Sequence, residues 1–129
     1  MKAIFLVFFG IVFGMGCARS SALPVHDEVL VYPLPLDLTY LRTLEAIQTH
    51  PDWNLHQTDK EKGVIQIHNT RYSSFADAEK REATLILKRV DSGRTSVQFD
   101  ENSRAVVGGD EILDLIRQYL AREVSLRSR

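Results

Sequence analysis

Chemistry in this chain would have to start from one cysteine, Cys17, and four histidines, His26, His50, His56 and His68. A thiol becomes a nucleophile or redox centre when its surroundings lower its pKa. Cys17 instead ends an apolar run, outside any folded context, and a lone cysteine has no internal disulfide partner. The histidines form no His-Glu-x-x-His pattern. His50 and His56 flank Pro51 rather than sharing a helix face, while His56 and His68 fall on neighbouring strands where a pairing would be chance. No metal site is expected.

Carboxylates are plentiful, with Asp59 and Glu61 in a turn, Asp77, Glu79 and Glu82 around a long connection, and Asp110, Glu111 and Asp114 at a helix start. None is paired by spacing at a general acid/base separation, and no serine lies in Gly-x-Ser-x-Gly. Gly108-Gly109 ahead of a helix has the form of an anion site. Asp110 and Glu111 put negative charge where the anion would bind, so the glycines read as loop flexibility. The chain therefore reads as non-enzymatic, with no catalytic residue and no cofactor.

The first seventeen residues give Cys17 its meaning. Lys2 precedes an apolar run (Ala3 to Phe13), then Gly14-Met15-Gly16-Cys17. A charged start, short hydrophobic core and small-residue end are the features of a secretory leader. The run is shorter than the ~20 residues of a permanent span. Residues 1–16 are thus expected to be a signal peptide, 17–25 a lipidated cysteine and tether, 26–126 one domain, and 127–129 a tail. The alternative is an ordinary leader cut after Ala22, which would discard Cys17.

About 110 residues remain beyond the leader, enough for one domain. The chain has 16 Lys and Arg against 17 Asp and Glu, a formal net charge of −1. These charges are interspersed, without the basic stripe of a nucleic-acid binder. The interaction candidates are Arg71, Tyr72 and Phe75, because Arg and aromatics are enriched at interface cores; folding back over the sheet is the competing role for the two rings. Trp53 reads as core or as a helix–hairpin corner, and the Arg122 to Arg129 end as helix capping.

Hydrophobic periodicity orders the elements that position these groups. Val29-Leu30-Val31-Tyr32, stopped by Pro33 and Pro35, is a strand. Asp37 is the expected N-cap of a helix with Tyr40, Leu41, Leu44 and Ile47 on its apolar face, closed by His50-Pro51. Trp53 to Thr58 alternates weakly and pairs as a hairpin with Val64 to His68, which puts Ile65 and Ile67 on one face. Gly63 in the turn is placed for positive φ. Asn69 to Arg81 is the longest connection, with a helical turn around Phe75 to Glu79. Glu82 to Val90 and Thr95 to Phe99 are the fourth and fifth strands across a tight Asp91-Ser-Gly-Arg94 turn. A final helix carries Ile112, Leu113, Ile116, Tyr119, Leu120 and Val124 on one stripe. The fold expected is α+β: an antiparallel sheet with two helices on one face, in the order β-α-β-β-β-β-α.

With Gly16-Cys17, the strand-to-helix passage Val31 to Ile47, Lys62-Gly63-Val64-Ile65 and the helix Ile112 to Ile116 in place, the chain resembles a group of small bacterial envelope lipoproteins. Its layout is also distantly similar to the domains of the BamC-type lipoprotein. The resemblance implies acylation at Cys17, a membrane anchor in the cell envelope on the periplasmic side of the outer membrane, and a protein partner. It brings no catalytic residues. A lipid-anchored adaptor or accessory in outer-membrane or envelope assembly or maintenance is the function expected. The alternative is a periplasmic carrier of a lipid or cell-wall fragment, using a pocket between sheet and helices.

Overall fold

The computed structural model describes residues 25–71 and 80–129. The leader, Cys17 and its tether, and the interaction candidates Tyr72 and Phe75 lie outside the described residues, as does the helical turn expected at Phe75 to Glu79.

Strand β1 (Leu30–Tyr32) leads into helix α1 (Leu36–Thr49), followed by β2 (Trp53–Asp59), β3 (Val64–Asn69), β4 (Glu82–Asp91) and β5 (Arg94–Phe99). A short 3₁₀ turn (Glu101–Ser103) then precedes helix α2 (Gly109–Arg127). The five strands form one sheet in the order β1-β5-β4-β3-β2, every neighbouring pair antiparallel. With its two helices this is the α+β two-layer sandwich that the periodicity predicts.

Side-chain alternation explains the layering. Ile65 and Ile67 of β3, Ala83, Leu85 and Leu87 of β4, and Thr95, Val97 and Phe99 of β5 all turn to the helix side and are buried. Ile112, Leu113, Ile116 and Leu120 of α2 meet them from above. Trp53 joins this core at 1% exposure, which settles it as a packing residue. The opposite sheet face carries Gln66, Thr84, Ile86 and Gln98 in register.

Three local features differ from the sequence pattern, two in α1 and one at Gly108-Gly109. Helix α1 starts at Leu36 with Pro35 as its N-cap and no side-chain cap; Asp37 lies inside the first turn. The Thr39 N–H is instead satisfied by the Pro35 carbonyl at 3.0 Å. The buried face of α1 is Thr39, Tyr40, Thr43, Ala46 and Ile47, and Leu41 is half-exposed. Two threonines replace leucines there because each hydroxyl is satisfied within the helix: Thr43 Oγ1 donates to Thr39 O at 2.7 Å, and Thr39 Oγ1 to Pro35 O at 3.0 Å.

The weak alternation of β2 has a cause as well. Its pairing with β3 shifts between Leu55 and Gln57, a bulge that inserts His56 and moves Gln57 and Asp59 to the uncovered face. Finally, Gly108 and Gly109 are close-packed rather than loose. Gly108 sits at φ 78°, where a Cβ would lie 3.1 Å from Asn69 Nδ2; a Cβ on Gly109 would lie 2.5 Å from the His26 ring.

Candidate functional site

The end of the molecule where α1 stops and α2 begins gathers the charged groups. Pro51 forces the chain out of α1, and the Asp52 N–H donates to His50 Nδ1 at 3.1 Å. That bond leaves Nε2 of the mostly buried His50 facing Glu111 Oε2 at 3.8 Å, across to the first turn of α2. Arg71 completes the group, its Nη1 3.8 Å from Asp52 Oδ2 and 3.9 Å from Glu111 Oε1. The Arg71 separations are ion pairing rather than direct hydrogen bonds, while His50, whose Nδ1 accepts a bond, only neighbours Glu111.

Arg71 is held at its backbone. Its N–H donates to Asn69 Oδ1 at 3.0 Å, and buried Asn69 in turn donates from Nδ2 to the Val107 carbonyl at 3.2 Å. Thr70 donates from both N–H and Oγ1 to the Asp52 carbonyl. The predicted interaction residue Arg71 thus stands exposed on a fixed base, at the start of the segment that carries Tyr72 and Phe75. Two carboxylates share its charge. The cluster contains no nucleophile; it clasps four element ends together. Pairing of His50 with Glu111 spans sixty-one positions, and no local pattern signals it.

His56 and His68 are not opposite one another. The bulge puts Asn54 across from His68, whose Nδ1 lies 3.8 Å from Glu82 Oε1. Among the described residues no group of three or more His, Cys, Asp or Glu is placed to hold a metal. None of the described helices is long and apolar enough to cross a membrane.

Two surface concavities flank the sandwich. A polar cleft of about 530 Å³ opens on the uncovered sheet face, lined by His56, Gln66, Glu82, Thr84, Asp100 and Asn102 among others. An apolar groove of about 430 Å³ runs along α1 between Leu38, Leu41 and Leu44, with Tyr40 beside them. Asp37 and Lys60, paired at 3.3 Å, form its rim. Leu38 and Leu44 of the groove are partly buried against the core, while Leu41 is half-exposed in it.

On the other flank, Tyr32 donates from its hydroxyl to the Arg117 carbonyl at 3.4 Å, and burial pushes the phenol above its ordinary pKa. Arg117 is held charged above its usual range by its hydrogen bonds to Glu28, at 2.6 and 2.7 Å, and pairs also with Asp114. Glu28–Arg117 fastens the segment before β1 to α2.

No protein-family model matches the chain, and no curated protein matches it.

Proposed function

We propose that this is a lipid-anchored, non-enzymatic domain of the cell envelope, an adaptor or accessory in outer-membrane or envelope assembly or maintenance. Acylation at Cys17 would supply the stable two-chain anchoring that single chains do not give, and residues 18–25 would tether the domain. The partner surface in this reading is Arg71 with Tyr72 and Phe75.

The observation that supports it is where the chain enters the domain. His26 packs against Gly109, and Arg71 faces Glu111, so both lie at the first turn of α2. A tether ending at Val25 therefore leaves from the same end that presents Arg71. An anchored domain would hold that end towards the bilayer, within reach of membrane-embedded or periplasmic assembly partners.

The test is crosslinking and pull-down from envelope fractions with the wild type, Tyr72→Ala/Phe75→Ala and Arg71→Glu. The proposal expects partners that the variants lose while the fold, read by circular dichroism, stays unchanged. Unchanged partner recovery from the variants counts against this surface.

The carrier reading draws less support. The space between sheet and helices is filled by Trp53, Phe99, Leu34, Ile47, Ile112 and Ile116, each 1% exposed or less. A carrier of lipid would need a preformed cavity of several hundred Å³ in that place.

A further inference from the structure

Gln66 and Thr84 are direct cross-strand partners on the uncovered face of the sheet, and both are half-buried without a helix above them. Neither side chain has a hydrogen-bond partner among the described residues, and the same holds for His56 and the Asn102 amide. The face is concave here, with His56 on one side and Asp100, Asn102 and Ser103 on the other.

One wall is the β2 bulge, which pushes His56 out of the ladder. The other is the 3₁₀ turn, fixed against β4 by two bonds and braced by a third within itself. Thr84 N–H donates to Ser103 Oγ at 2.8 Å, Asp100 N–H to the Thr84 carbonyl at 2.7 Å, and Ser103 N–H to the Asp100 carbonyl at 2.8 Å. The cleft of about 530 Å³ between them lies within the range of small-molecule sites. A separate hollow of about 170 Å³ also has Gln66 in its lining.

We propose that this cleft binds an uncharged saccharide. It has no Lys or Arg to receive an anion, and Glu82 and Asp100 would repel one. A metal ion is not favoured, since among the described residues no group of three or more His, Cys, Asp or Glu is placed to hold one. The larger cleft offers an acyl chain only Ile67 and Ala83, both turned mainly into the core. The unused groups are two carboxamides, a hydroxyl and an imidazole, each able to donate and accept. Adjacent hydroxyls and acetamides of a sugar ring present that same mixture. The inference does not depend on an anchor at Cys17.

The experiment is a titration of ¹⁵N-labelled protein, as isolated from its producing cells, with tri-N-acetylchitotriose and separately with inorganic phosphate. Saturable shifts confined to Gln66, Thr84, Asn102 and their strand neighbours are expected with tri-N-acetylchitotriose only. In Gln66→Ala/Asn102→Ala, affinity falls roughly tenfold or more, as loss of two hydrogen-bonding groups implies, while the remaining spectrum keeps its dispersion. The proposal is overturned by no saturable shift up to about 10 mM, far above a useful site's Kd. It is equally overturned by an equal response to phosphate, or by variants that bind as the wild type does.

Discussion

Gly63 and Leu87 lock the β2–β3 turn onto β4: the Leu87 N–H donates to the Gly63 carbonyl at 2.7 Å. Gly63 has φ 66°, and a Cβ there would stand 2.2 Å from the Leu87 carbonyl oxygen. Backbone cannot retreat as a flexible side chain does. Gly63→Ala is therefore expected to cost at least about 1–3 kcal/mol. Gly93, in the next turn, has no atom within 4 Å of its would-be Cβ and no positive φ. Gly93→Ala should cost less than about 0.5 kcal/mol. Urea unfolding of the two variants checks the contrast.

Arg42 joins the helices. Its Nε donates to Glu123 at 2.8 Å and its Nη1 to Glu45 at 2.7 Å, with the Glu123 side chain 13% exposed. Removing Arg42 leaves a largely buried carboxylate alone, an expected cost of about 1–3 kcal/mol. Glu45→Ala removes only the more exposed arm and should cost below about 1 kcal/mol. A double-mutant cycle on Arg42 and Glu123 should show coupling that survives added salt.

The two faces of α1 make opposite predictions. Ile47 is fully buried, and Ile47→Ala should cost about 2–5 kcal/mol. Leu41 is 48% exposed, and Leu41→Ser should change stability by no more than about 0.5 kcal/mol. Chemical denaturation distinguishes this arrangement from one with Leu41 in the core.

Two groups give pH dependence of opposite sign. Hydrogen bonds from Arg94 and the Gly93 N–H hold the Asp91 carboxyl below its usual range. A depressed folded-state pKa stabilises above the unfolded value, ~3.9, and that contribution is lost as pH falls through the folded value. Tyr32 is raised by burial, so its contribution is complete below the unfolded value near ~10 and disappears as pH rises through the folded one. NMR titration should place the Asp91 midpoint below, and the Tyr32 midpoint above, those of model peptides.

The sheet was readable because one face is buried: Ile65 and Ile67, and Thr95, Val97 and Phe99, carry a period of two that admits one register. Helix α2 was readable for the same reason at period 3.6. The exceptions have separate physical origins. Thr39 and Thr43 enter the core because their hydroxyls bond within the turn, and no hydropathy pattern reveals that. The His56 bulge breaks the β2 alternation it sits in. The His50–Asp52–Arg71–Glu111 cluster and the cleft at Gln66 arise from distant segments, each of which alone looks like a helix stop, a cap or a solvated strand.

The anchor at Cys17 is the claim on which the envelope function rests. Mass spectrometry of the amino terminus of protein recovered from membrane fractions, beside Cys17→Ser, tests it directly. An acylated Cys17 is expected as the first residue of the wild type, and the Cys17→Ser protein is expected to leave the membrane fraction. An unmodified terminus after Ala22, recovered from the soluble fraction, would contradict it.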